Sequence, residues 1–160
     1  MSNRAHDEHE ACCRLPAVAL TCPVCGKQGR KVGKETLDQH LAPIPRARFS
    51  DEAGFCPNPA CEAVYFYGAT TVRKGETVQA VTQNDPRDEV SVCYCFKHTR
   101  GDLRRDLAQK GVADIPDRIK QGIKEGRCDC ARKNPQGACC LGNVAEAVNE
   151  IKKRMRSKSS

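Results

Sequence analysis

The twelve cysteines of this chain fall into six close pairs, and the tightest pattern is Val92-Cys93-Tyr94-Cys95-Phe96. Two cysteines one residue apart do not close an ordinary disulfide with each other. They can put two thiolates on one metal centre, because a strand that curls into a turn aims alternate residues at a common point. A second thiol-rich segment, from Cys128 and Cys130 to Cys139 and Cys140, lies further along, just ahead of a helix-like stretch. It can supply the remaining ligands. Soft sulfur ligands select zinc, copper(I) or iron–sulfur centres. A [2Fe–2S] cluster, which takes four cysteines, is the expectation for this half.

The earlier pairs have a different spacing. Thr21-Cys22-Pro23-Val24-Cys25-Gly26-Lys27 outlines a zinc knuckle. Its two-residue gap turns both sulfurs toward one ion, and the glycine relieves the crowding of the tight turn. A single CxxC could equally be a thioredoxin-type redox pair. The second pair, Cys56-Pro57-Asn58-Pro59-Ala60-Cys61, decides for zinc, since its prolines and asparagine build a turn with a cysteine at each edge. Cys22, Cys25, Cys56 and Cys61 then form a closed tetrahedral set, which is the pattern of a structural site. Met1 to Pro16 carries His6, His9, Cys12 and Cys13. These read either as an untethered polar tail or as a hand-off site for a soft ion such as copper(I).

The elements that must position these thiols are short. Thr36 to Leu41 suits a helical turn ended by Pro43 and Pro45. His40 within it reads as a surface or packing histidine, because four cysteines already suffice for zinc. Ala63 to Val72, interrupted at Gly68, and Thr77 to Val81, beyond a turn at Arg73–Glu76, read as strands of a small antiparallel sheet. Gln83 to Asp88 is a polar, proline-containing junction. Val90 to Val92 leads as a strand into Cys93. Thr99 with Asp102 begins a helix that Gly111 stops. Asp114 is expected to cap a second helix carrying Ile115, Ile119 and Ile123, ended by Gly126. Asn143 with Glu146 resembles a capping box for a third helix bearing Val144, Val148, Ile151 and Met155. That helix would turn its positive pole toward the thiols before it. The expected architecture is α+β: a polar tail at 1–16, a zinc-bound antiparallel β domain at 17–83, and a mostly helical [2Fe–2S] domain at 84–160.

Composition agrees with metal centres in place of a large core. Aromatic residues make up only 4% of 160 residues, and tryptophan is absent. Small domains often need such staples. Met1 to Glu10 is polar, and Pro16 to Leu20 is too short for a signal-peptide core. No apolar run approaches the roughly 18 residues of a membrane span. The expectation is therefore a cytoplasmic protein with reduced thiols. The net charge of +7 gathers at Lys152, Lys153, Arg154, Arg156 and Lys158. That is a solvated helix end or a docking surface for an acidic partner. Nucleic acid is not expected, because no recognition motif accompanies the charge. Paired carboxylates, a nucleophile–histidine set and a phosphate loop do not stand out. Classical catalysis is not expected, at most a one-electron metal reduction. His98, three residues after Cys95, reads as a surface histidine, with a hydrogen bond to the cluster as the alternative.

Val92-Cys93-Tyr94-Cys95-Phe96, followed by helices and by Cys130 … Asn134-Pro135-x-Gly137-x-Cys139-Cys140, resembles the bacterioferritin-associated-ferredoxin-like [2Fe–2S] module. Cys22-Pro-Val-Cys25 … Phe55-Cys56-x₄-Cys61-Glu-Ala-Val-Tyr-Phe66 is similar to the zinc-bearing part of the same proteins. Together they resemble the N-terminal half of the CopZ-type copper chaperones, over roughly Thr21 to Met155. The resemblance implies zinc at Cys22, Cys25, Cys56 and Cys61, and the cluster at Cys93, Cys95, Cys130 and Cys140. Cys128 is the alternative to Cys130, and Cys139 is the alternative to Cys140. It implies copper homeostasis, with a copper-carrying protein, a copper-transporting ATPase or another redox partner. The founding type adds a copper-carrying domain with an MxCxxC loop, and no MxCxxC occurs here. Copper(I) would then use Cys12 and Cys13, or a separate carrier. The alternative function is a small electron-transfer protein or redox and metal sensor that carries no copper.

Overall fold

The computed structural model describes residues 20–159. A short first strand, β1 (Arg30–Gly33), pairs antiparallel with β2 (Glu52–Phe55), with Val32 opposite Ala53. Between them run α1 (Lys34–His40) and the single turn α2 (Pro43–Arg46). β3 (Ala63–Tyr67) adds to β2, and β4 (Thr70–Arg73) adds to β3, which gives a four-stranded meander in the order β1-β2-β3-β4. All four residues Ala63 to Phe66 are buried. β3 is covered on both faces, which is why its sequence is a continuous apolar run rather than an alternating one. Val32, Leu37, Leu41, Phe55, Tyr65 and Val72 fill the space under α1. Cys22, Cys56, Cys61, Ala63 and Phe66 form a second cluster.

Two expectations fail in this half. Gly68, at φ +56°, makes a hairpin between β3 and β4 rather than a break within one strand. Thr77 to Val81 is not a strand: Thr77 makes a single bridge to Leu41, and Val78 donates its N–H to the His40 carbonyl at 2.8 Å. The segment is spent on tying down the end of α1. β1 and β2 had no counterpart in the sequence reading, because four-residue strands with glycines carry almost no periodic signal.

The second half opens with a two-stranded ribbon, β5 (Ser91–Cys93) and β6 (His98–Thr99). Then come α3 (Arg100–Lys110), α4 (Ile115–Lys124), the single turn α5 (Cys130–Lys133) and α6 (Leu141–Lys158). Thr99 and Asp102 form a capping box on α3, and Gly111 closes it at φ +72°, as expected. Val92, Leu103, Leu107, Ile115, Ile119, Val144, Val148 and Ile151 pack together around Cys93 and Cys140. Met155 lies outside this core, among the exposed large hydrophobics.

Two caps differ from expectation. Asp114 does not cap α4 with its side chain. The carboxylate comes from α3: Asp106 Oδ2 accepts from Asp114 N–H at 2.6 Å and Ile115 N–H at 3.2 Å. Asp114 pairs with Lys110 instead. α6 begins at Leu141 with Cys140 as N-cap, so Asn143 and Glu146 lie inside the helix and form no capping box. No helix among the described residues is long and apolar enough to cross a membrane. Lys152, Lys153, Arg154, Arg156 and Lys158 are all exposed at the end of α6, where cations favour the negative pole of the helix.

Candidate metal centres

The knuckle Cys22–Gly26 closes through Gly26 N–H donating to the Cys22 carbonyl and Cys22 N–H donating to Lys27, both at 2.9 Å. Gly26 takes φ +74°, the left-handed conformation the turn requires. The Cys56–Cys61 turn is held by Cys61 N–H donating to the Asn58 carbonyl at 3.0 Å. β3 then brings this turn to the knuckle. The four sulfurs of Cys22, Cys25, Cys56 and Cys61 lie within 4.8 Å of one another. Cys22 and Cys61 are 3.8 Å apart, and Cys25 and Cys56 are 3.6 Å apart. Zinc–sulfur bonds of about 2.3 Å at tetrahedral angles put the sulfurs about 3.8 Å apart, so the spacing fits the ion.

The protons of the metal-free set are unevenly placed. The Lys27 backbone N–H, helped by the Asn58 side chain, draws the Cys25 thiol down to about 6. Burial pushes Cys56 and Cys61 up. Binding a dication here expels the retained protons, so affinity must rise with pH.

The second set is arranged as pairs. Cys95 and Cys130 sulfurs are 3.5 Å apart, and Cys95 also accepts from Asp129 N–H at 3.2 Å. Cys93 and Cys140 hydrogen-bond to each other, which pulls Cys93 down to about 7 and pushes Cys140 up. Burial raises Cys130 to about 12. β5 supplies Cys93, the turn after it supplies Cys95, α5 supplies Cys130, and the N-cap of α6 supplies Cys140. Two thiol pairs suit a binuclear centre that takes two cysteines at each iron. Lys97 closes the turn at φ +57°, an uncommon conformation for a non-glycine residue. Cys139 is exposed and Cys128 half-buried. Cys12 and Cys13 lie outside the described residues.

His40 resolves toward packing. It is 0% exposed, and burial lowers its pKa to about 4. Its Nε2 donates to the Arg132 carbonyl at 3.1 Å, while Nδ1 accepts from Gln79 Nε2 at 3.2 Å. His98 is partly buried and lines an open cleft with Phe96, Arg118 and Arg127. Sequence reasoning missed the contacts His40, Thr36 and Tyr65 make with the second thiol segment. The available signal was the four-residue spacing of Thr36 and His40 on one helix face.

Residues 19–82 match the CopZ-type family model described as a zinc binding domain. The protein is also similar to the copper chaperone CopZ of Archaeoglobus fulgidus, 31% identical over 121 residues. The alignment covers 76% of this chain, and the chain spans 58% of that relative's length. The X-ray structure of the CopZ N-terminal domain from the same organism aligns with a TM-score of 0.65 at 27% identity, over 78% of this chain and 95% of that one.

Proposed function

We propose that this is a protein of copper homeostasis that holds a structural zinc at Cys22, Cys25, Cys56 and Cys61 and a [2Fe–2S] cluster at Cys93, Cys95, Cys130 and Cys140. The observation that supports the reading is the contrast between the two thiol sets: four sulfurs within 4.8 Å of one another in the first, and two pairs, Cys95–Cys130 and Cys93–Cys140, in the second. When bound, zinc locks the knuckle against the sheet, and the cluster supplies a one-electron couple.

The chain's own residues set the conditions. The Asp129 N–H donates to the Cys95 sulfur, and the N-terminus of α6 places positive partial charge beside Cys140. Val92, Leu103 and Val144 keep Cys93 and Cys140 out of water. Copper is the substrate. One electron converts copper(II) to copper(I), the form that soft thiolates hold. Likeness to a copper chaperone supports this cargo. The carrier thiols are Cys12 and Cys13 or those of a separate copper-carrying protein, and a copper-transporting ATPase is the kind of acceptor to expect. The exposed cations at the end of α6 would steer an acidic partner surface.

Anaerobic purification with metal analysis and an absorption spectrum tests the reading. One zinc and two irons per chain are expected, with Cys93→Ala losing iron and keeping zinc. A colourless, iron-free protein would refute the cluster. Copper(I) titration of wild type against Cys12→Ser/Cys13→Ser separates carriage from electron transfer without copper.

A further inference from the structure

The Cys130 segment has little of its own to hold it. α5 is a four-residue turn with no buried residue and no side-chain cap. A single turn does not persist alone, because nucleating it costs more than its one or two hydrogen bonds return. Beyond the local turn bonds within residues 129–138 and the Asp129–Cys95 contact, its support comes from the other half of the molecule. Thr36 Oγ1 donates to the Ala131 carbonyl, His40 Nε2 to the Arg132 carbonyl at 3.1 Å, and Tyr65 Oη to the Pro135 carbonyl at 2.6 Å. Gly137, at φ +66°, sits so close that a Cβ there would lie 3.1 Å from both Thr36 and Val32.

His40 is the centre of this joint. Its ring faces a carbonyl at Nε2 and an amide nitrogen at Nδ1, so it is the neutral tautomer with the proton on Nε2. The Tyr94 ring, between Cys93 and Cys95 in sequence, packs edge-on against it at 6.2 Å. His40 thus touches both the segment that carries Cys130 and the segment that carries Cys93 and Cys95.

We propose that His40 is a positioning residue for the second metal centre: reaching out of the zinc half, it fixes the Cys130 segment against the Cys93–Cys95 turn, so the second centre forms only on a folded zinc half. This rests on the reading that Cys130 is a cluster ligand. Dependence then runs one way. Loss of Cys93 spares the zinc, whereas loss of the His40 contact releases iron while zinc stays.

The test uses the full chain, loaded with zinc and kept free of iron, as wild type, His40→Leu and His40→Gln. Amide exchange is followed over residues 130–137 and over 63–72. His40→Leu should speed exchange at 130–137 about tenfold, as expected for one buried hydrogen bond, and leave 63–72 unchanged. His40→Gln, whose amide N–H can reach the same carbonyl, should restore most of the protection. After iron loading, iron transfer to a chelator should speed by a similar factor in His40→Leu, with zinc retained. Unchanged exchange at 130–137, or a rise spread equally over both halves, overturns the proposal. If His40→Leu fails to fold, His40→Asn against His40→Gln gives the same comparison, because the shorter amide cannot span the gap. If wild type takes up no iron, the cluster reading fails by itself, and the iron-free exchange still decides whether His40 positions the segment.

Discussion

Phe66 lies between two glycines, and that arrangement yields a sharp expectation. Gly54 stands directly opposite Phe66 across β2 and β3. A Cβ built on Gly54 would meet Phe66 Cζ at 2.5 Å, and one built on Gly29 would meet the same atom at 2.5 Å. Carbon atoms in contact sit about 3.5–4.0 Å apart, so Gly54→Ala requires the ring to retreat by about 1 Å. The ring is only 1% exposed, and it packs with Cys22, Cys56, Cys61 and Ala63. Retreat therefore pushes on the zinc thiolates. Overpacking of this kind costs about 1–3 kcal/mol. Chemical unfolding of the zinc-loaded protein should show that loss, and zinc transfer to a chelator should quicken by roughly five- to hundredfold, since about 1.4 kcal/mol is tenfold. Phe66→Leu added to Gly54→Ala should recover at least about 1 kcal/mol relative to additivity, because the two sites share one space. Gly142, in α6 with nothing near its Cβ position, is the control: Gly142→Ala should stabilise by about 0.5–1 kcal/mol. A Gly54→Ala protein within about 0.5 kcal/mol of wild type, with no rescue by the smaller side chain, would refute the packing argument.

Asp106→Ala should cost about 1–2 kcal/mol, since it removes the acceptor for two N–H groups at the start of α4, while Asp114→Ala should cost less; thermal unfolding of both variants decides it. Burial pushes the Asp106 carboxyl up, but Lys110 and the N–H groups of Asp114 and Ile115 outweigh it and hold it below the usual range. Its stabilisation is thus complete above about pH 4 and lost as pH falls through the lower folded value, so Asp106→Asn should shrink the wild-type difference in acid. Burial holds His40 near 4, against about 6.5 in the unfolded chain, so protonation favours unfolding. Its contribution is full above about pH 6.5 and falls by about 3 kcal/mol as pH drops toward 4; because His40→Gln keeps the hydrogen bond and does not titrate, unfolding curves for the two, in which thiol protonation is common to both, should separate over that window with wild type losing more, and parallel curves would refute it.

The first thiol set was legible because its ligands come in pairs close in sequence, Cys22 with Cys25 and Cys56 with Cys61, and the fold brings all four sulfurs within 4.8 Å of one another. A CxxC or a Cx₄C records its geometry in its own spacing. The helices of the second half were legible for a related reason: Thr99, Asp102 and Gly111 mark ends locally, and Leu103 and Leu107 mark a face. Failures begin where a partner comes from elsewhere. Asp114 looked like a cap, but the carboxylate that reaches those N–H groups belongs to Asp106, on the preceding helix. Asn143 and Glu146 fitted a capping pattern, but α6 already starts at Leu141, where Val144 N–H donates to the Cys140 carbonyl at 3.0 Å. Thr77 to Val81 alternates like a strand, yet beyond the Leu41–Thr77 bridge it meets the end of α1 rather than a strand partner. The joint between the halves was the least legible part. Thr36, His40 and Tyr65 bond to the main-chain carbonyls of Ala131, Arg132 and Pro135, and every residue type presents such a carbonyl. No residue choice at 131, 132 or 135 could advertise the contact. Only the donors carry a trace of it, in a threonine and a histidine four residues apart on a helix whose other face already had a core to fill.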